Sequence, residues 1–92
     1  MNAADRLRAR LAALEPVALE IRDDSHLHAG HAGAKEGGHY AVRIVAPHFA
    51  GLSTLRRHRL VYDAIGDFAG LRIHALSIDA KSPDEIHSRF EP

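Results

Sequence analysis

Three histidines crowd into six residues of this chain, His26-Leu27-His28-Ala29-Gly30-His31. Neutral imidazole is a common ligand for zinc, copper and iron. The His-x-His and His-x-x-His spacings bring rings close enough to share one metal ion when the backbone folds around it, and glycine permits such folding. The same run also reads as a polar, solvated loop, and spacing alone leaves both readings open. His74 is a different case. It lies in Ile73-His74-Ala75-Leu76, where a histidine among apolar neighbours must expose a ring nitrogen or find a hydrogen-bond partner. On the residues alone, a strand histidine satisfied by a neighbouring backbone is favoured over a ligand.

His58 stands in Arg56-Arg57-His58-Arg59. At helical spacing it falls on the Leu55, Val61, Tyr62 and Ile65 side, so a packed structural role is favoured over a free ligand. The arginines spread around the rest of the helix; Arg56 and Arg59 lie nearest each other on its polar side and, with Arg43 or Arg72, are candidates for a phosphate-binding patch. The competing reading is a solvated helix face, partly neutralised by Asp63 and Asp67, and it is the one preferred. Gly30-His31-Ala32-Gly33 matches the G-x-x-G clamp of KH nucleic-acid-binding domains. That clamp joins two helices, whereas here it falls between two strands, so the match is discounted.

Composition narrows the classes. The chain has 92 residues, 12 basic and 12 acidic side chains, and no cysteine. Length predicts one domain spanning 1–92. Zero formal charge gives no global pull toward nucleic acid or membrane. Without cysteine, disulfides, thiolate nucleophiles and thiolate metal sites are excluded within these residues. No serine–histidine–carboxylate or paired-carboxylate pattern stands out, so no enzyme and no small-molecule substrate are expected. With three Phe, two Tyr and no Trp, a base-stacking platform is disfavoured. Apolar runs are too short to span a bilayer, and Met1 to Arg6 carries no apolar signal core, so a cytoplasmic protein without a membrane partner is expected.

The elements that must position these residues are legible in the periodicity. Leu7, Leu11 and Leu14 predict a helix capped by Asn2 and ended at Glu15-Pro16. Val17, Leu19 and Ile21 alternate as a strand, as does His39 to Val45. Between them lies a long glycine- and histidine-rich loop, Asp23 to Gly38, of a length more often functional than accidental. Ser53 to about Phe68 predicts a second helix, with its apolar face on Leu55, Val61, Tyr62, Ile65 and Phe68 and its stop at Gly70. Leu71 to Asp79 predicts a third strand, apolar on both faces and therefore central. Ser82-Pro83-Asp84-Glu85 reads as a capping box opening a last helix to Phe90. The expected fold is α+β, in the order αββαβα, a three-stranded sheet with helices packed on one face.

Phe49-x-Gly51-x-x-x-Leu55-x-Arg57-His58-Arg59-Leu60-Val61-Tyr62 resembles the central signature of the BolA family. The resemblance continues through Ile73-His74-Ala75-Leu76-Ser77-Ile78 and Ser82-Pro83-Asp84-Glu85. Upstream, Ile21-x-Asp23-x-Ser25, the histidine-rich loop and His39-Tyr40 also fit, so the likeness runs from about Leu7 to Ile86. Departures are Tyr40 for the usual phenylalanine, Ala46 for serine and Ser82 for threonine. The resemblance implies a KH-like fold. It further implies a partnership with a monothiol glutaredoxin in iron–sulfur cluster trafficking and iron regulation. A [2Fe–2S] cluster would be shared with glutaredoxin and glutathione in a heterodimer, with no cofactor on the isolated chain. His74 is the implied ligand, with a second from the loop, where His28 aligns best and His31 next. The family's other described role, DNA-binding regulation of transcription in stress response and morphology, would use Arg56, Arg57 and Arg59.

Overall fold

The computed structural model describes residues 2–25 and 38–90. Asn2 accepts the Asp5 N–H through Oδ1 at 2.9 Å and starts helix α1, Ala3–Leu11, which tightens into a 3₁₀ turn over Ala12–Leu14. Glu15 then turns left-handed (φ 53°) before Pro16 and stops the helix. Strand β1, Ala18–Asp23, pairs antiparallel with β2, Gly38–Val45. A 3₁₀ turn at Pro47–Phe49 leads to helix α2, Thr54–Ile65, capped by the Ser53 hydroxyl on the Arg56 N–H. Strand β3, Ile73–Lys81, runs parallel to β2, and helix α3, Pro83–Phe90, follows. The α+β class and the element order are as expected.

Sheet order is β1-β2-β3, so β2 is central and β3 is an edge strand. This corrects the expectation of a central third strand. Leu71 is buried in the turn before β3, and Ile73 is buried at its first residue. Beyond them Leu76, Ile78 and Ala80 pack on the core while Ser77 stays exposed. Apolar residues of both parities therefore reflect a change of phase near His74, not two covered faces. Helix α2 also ends earlier than its periodicity suggests. Gly66, at φ 74°, is its stop, and Phe68 joins the core from the following turn.

The core is a layer between the sheet and the helices: Leu7 and Leu11 from α1, Val42 and Ile44 from β2, Phe49, and Val61 and Ile65 from α2. Leu55 and Tyr62, expected on the packed face, are exposed. The inward face of α2 is rotated from the apolar stripe, and Arg57 occupies part of it. Its side chain is only 13% exposed. It donates to the Leu52 carbonyl (2.9 Å) and the Ala80 carbonyl (3.0 Å), and it pairs with Glu85 (2.6 Å). One guanidinium thus ties the loop before α2, the end of β3 and the start of α3.

The Glu85 half of the capping box at α3 forms as read, while the Glu85 N–H goes to the Ser82 carbonyl (3.1 Å) and not to the hydroxyl. The Ser82 N–H and hydroxyl both donate to Glu85 Oε1, at 2.9 and 3.0 Å. The Ser82 backbone N–H, then Arg57 and the Ser82 hydroxyl, hold the Glu85 carboxyl down at about 2 from an ordinary 4.5, against an upward push from lost hydration. The folded pKa lies below the unfolded one. Glu85 therefore contributes its full stabilisation above about pH 4.5 and loses it as pH falls toward 2. Glu85→Gln is expected to flatten the acid limb of a urea-midpoint-against-pH curve across that window. Parallel curves for the two proteins would contradict this.

Candidate functional site

The site is built where β2 and β3 begin. Arg72 enters β3 with φ 59°, a left-handed conformation that is uncommon outside glycine and is held only where the surroundings fix it. Its carbonyl accepts the Gly38 N–H at 2.8 Å. The parallel register then pairs Gly38 with Ile73 and His39 with Ala75, which leaves His74 as an extra residue. Such a bulge re-aims a side chain. Ile73 is buried, while both His74 and Ala75 are exposed, so normal strand alternation breaks at the histidine. The apolar neighbours of His74 in sequence are not its surroundings, and its imidazole reaches solvent.

His39 stands beside it. The two ring centroids are 5.1 Å apart and the planes are tilted by 51°. The His39 backbone is pinned on both sides. Its N–H donates to Ser25 Oγ at 3.0 Å, and its carbonyl accepts the Asp24 N–H at 2.7 Å. Ser25 is itself fixed by Asp23, whose carboxylate accepts the Ser25 N–H at 2.9 Å. A Cβ at Gly38 would meet the Tyr40 ring, which would have to shift to make room. Burial, with Asp23 nearby, pushes the Tyr40 hydroxyl above its ordinary range, while a hydrogen bond to Ser25 works the other way. A cleft of about 230 Å³ lies alongside, lined by Asp24, His39, Tyr40, Ala75, Leu76 and Ser77.

His26, His28 and His31 fall within 26–37, outside the described residues. What is described is where that segment leaves and returns: Ser25 and Gly38 both flank His39. His58 is half-buried on α2, in keeping with a structural role. The arginine patch narrows. Arg57 is committed to the interior, which corrects its placement among exposed phosphate contacts, and Arg56 and Arg59 remain on the surface. His39 was read only as part of a strand and a motif. Its pairing with His74 depends on strand register, which periodicity does not reveal.

The exposed His74 imidazole can donate a nitrogen lone pair to a soft or borderline metal ion. Among the described residues, no group of three or more histidine and carboxylate side chains gathers to hold one. Any metal here would therefore take further ligands from elsewhere. Among the described residues, no helix is long and apolar enough to cross a membrane.

A family model described as BolA-like protein matches residues 11–85. The chloroplastic protein BOLA1 of Arabidopsis thaliana is 44% identical over 93 residues, covering 96% of this chain and 58% of that relative. SufE-like protein 1 of the same plant is 43% identical over 88 residues, covering 88% of this chain and 24% of its own length. The chain thus spans about half or less of these curated relatives. The solved structure of BolA1 from Arabidopsis thaliana superposes with a TM-score of 0.78 at 42% identity, over 92% of this chain and 96% of that one.

Proposed function

Because the chain belongs to the BolA-like protein family, we propose that it is a non-enzymatic adaptor that joins a monothiol glutaredoxin and co-ligates a [2Fe–2S] cluster through histidine. Its setting would be iron–sulfur trafficking and iron regulation. The observation that carries this reading is His74, an imidazole turned outward by a bulge at the head of an edge strand. Donor chemistry agrees. A [2Fe–2S] cluster usually takes four thiolates, and two histidines can replace two of them on one iron. This chain has no cysteine, so the thiolates must come from the glutaredoxin cysteine and glutathione. Exchanging anionic thiolate for neutral imidazole raises the reduction potential of such a cluster. His74 supplies one nitrogen, and His28 or His31 is the loop residue proposed for the second.

The reading is tested with His74→Phe, which keeps an aromatic ring at an exposed position and removes the lone pair. The expected result is an unchanged far-ultraviolet spectrum for the free protein. The visible circular dichroism of the cluster formed with a monothiol glutaredoxin and glutathione should be lost or altered. A wild-type cluster spectrum from this variant would overturn the assignment. DNA-binding regulation is the weaker alternative. It has lost Arg57 to the interior and retains Arg56 and Arg59 on a chain of zero formal charge. It would require affinity that falls steeply with salt.

A further inference from the structure

We propose that the cleft between α1 and the turn after α2 binds a small phosphomonoester that carries a hydroxyl group beside its phosphate. The cleft has a volume of about 360 Å³ and is lined by Arg6, Ala9, Arg10, Asp67, Gly70 and Leu71. That volume lies in the range of small-molecule sites. No lining residue belongs to the heads of β2 and β3, so the inference goes beyond the adaptor reading and does not need it.

The arginines supply the side that takes an anion. Arg6 and Arg10 stand four residues apart on α1 and share one face of it, where like charges repel. Arg22, Arg43 and Arg57 each pair with a carboxylate, but among the described residues neither Arg6 nor Arg10 does. Arg10 is held by one bond, from Nη1 to the carbonyl of Ile65 at 2.6 Å, at the last residue of α2. A guanidinium has several N–H donors and Arg10 spends one here, so the others remain for a ligand. Among the described residues the Arg6 guanidinium spends none. Two guanidinium groups on one wall suit phosphate, which accepts in parallel pairs and carries a charge of about −1.5 to −2 at pH 7.

Asp67 sets the other half of the ligand. Its Oδ1 accepts the Gly70 N–H at 2.8 Å, which fixes the carboxylate in the turn. Oδ2 lies where a side chain at residue 70 would stand, so glycine there leaves the carboxylate its room. Oδ2 has no hydrogen-bond partner among the described residues. A carboxylate in the same cleft as two arginines accepts a ligand hydroxyl and repels a second phosphate. That selects a lone phosphomonoester with a hydroxyl donor over a continuous phosphodiester backbone. Leu71 is buried, and Ala9 and Gly70 are small, so little side chain fills the space between.

Arg10 would make the same bond to Ile65 if it served only to close the end of α2, and exposed arginines attract any anion weakly, so a site has to be separated from a charge. The whole chain is titrated with glycerol 3-phosphate and, separately, with inorganic phosphate, followed through the arginine Nε–H and backbone amide resonances. Expected is one glycerol 3-phosphate per chain, with saturating shifts at Arg6, Arg10 and the Gly70 amide. It should bind at least about fivefold more tightly than inorganic phosphate, the worth of one added hydrogen bond. Arg56 and Arg59, exposed on α2, are internal controls and should not saturate. Arg6→Gln should weaken binding by at least about fivefold, as the loss of a charge-assisted hydrogen bond requires. Asp67→Asn keeps an acceptor for the Gly70 N–H and should bring the two ligands within about twofold of each other. Equal saturating shifts at Arg56 and Arg59, or unchanged affinity in Arg6→Gln, would overturn the site. An undiminished preference in Asp67→Asn would overturn the role given to that carboxylate. A short DNA duplex that displaces glycerol 3-phosphate from Arg6 and Arg10 at equal phosphate concentration would overturn the choice of a small ligand.

Discussion

Phe49→Ala is expected to cost about 3–5 kcal/mol of folding stability, the range for emptying a fully buried aromatic position. Phe49 is 0% exposed and is among the largest side chains in the core. It hangs from a single 3₁₀ turn, Pro47–Phe49, that carries the chain from the central strand to α2. The lost ring therefore removes packing between sheet and helices and also the anchor of their connection. A domain of this kind has about 5–15 kcal/mol in total. The urea midpoint should fall by at least about a fifth of the wild-type value, and by more than half if the wild type lies at the low end of that range. Its neighbour His48, 52% exposed with its ring 3.3 Å from Glu15, provides a surface control. His48→Ala should stay within about 0.5 kcal/mol of wild type. Equal losses from the two substitutions would mean that the core is not organised around Phe49.

The second large effect is expected at Arg57. Arg57→Ala leaves the Leu52 and Ala80 carbonyls without their donor. Each partly buried acceptor abandoned in this way costs about 1–3 kcal/mol, so the total should be about 2–6 kcal/mol. For a chain of this length, that lowers the melting temperature by at least about 8 °C. Arg57→Lys should recover little, because one ammonium cannot span acceptors that the planar guanidinium reaches in different directions. Arg56→Ala, one residue away and exposed, should be close to neutral. If Arg57→Ala melted with Arg56→Ala, the interior role assigned to this arginine would be wrong.

Arg57 also marks where the sequence stops being legible. Periodicity treats an arginine as a surface residue, and only tertiary contacts reveal two carbonyl acceptors waiting for it. It lies on the inward side of α2 with Val61 and Ile65, while Leu55 and Tyr62 are exposed against expectation. Local chemistry, by contrast, read through cleanly. Asn2, Glu15-Pro16 and the Ser82–Glu85 box fix helix ends through contacts within a few residues. The edge position of β3 was hidden because the bulge at His74 shifts the strand by one residue, so that apolar side chains occur at both parities. The same shift hid His39. Its nearness to His74 exists only once Gly38 is set against Ile73 and His39 against Ala75. Gly66 and Gly70 show a smaller version of this limit. Both follow α2, but Gly66 takes the positive φ, whereas Gly70 sits where the Asp67 carboxylate fills the space a side chain would need.

The proposed role of this chain is to lend imidazole to a cluster held by another protein. It is tested most directly by adding the protein stepwise, without oxygen, to a glutathione-bound [2Fe–2S] monothiol glutaredoxin and recording visible absorption and circular dichroism. The glutaredoxin spectrum is expected to convert to a new one, with conversion complete at one chain per glutaredoxin. A spectrum that stays unchanged through excess protein, with no complex formed, would contradict it.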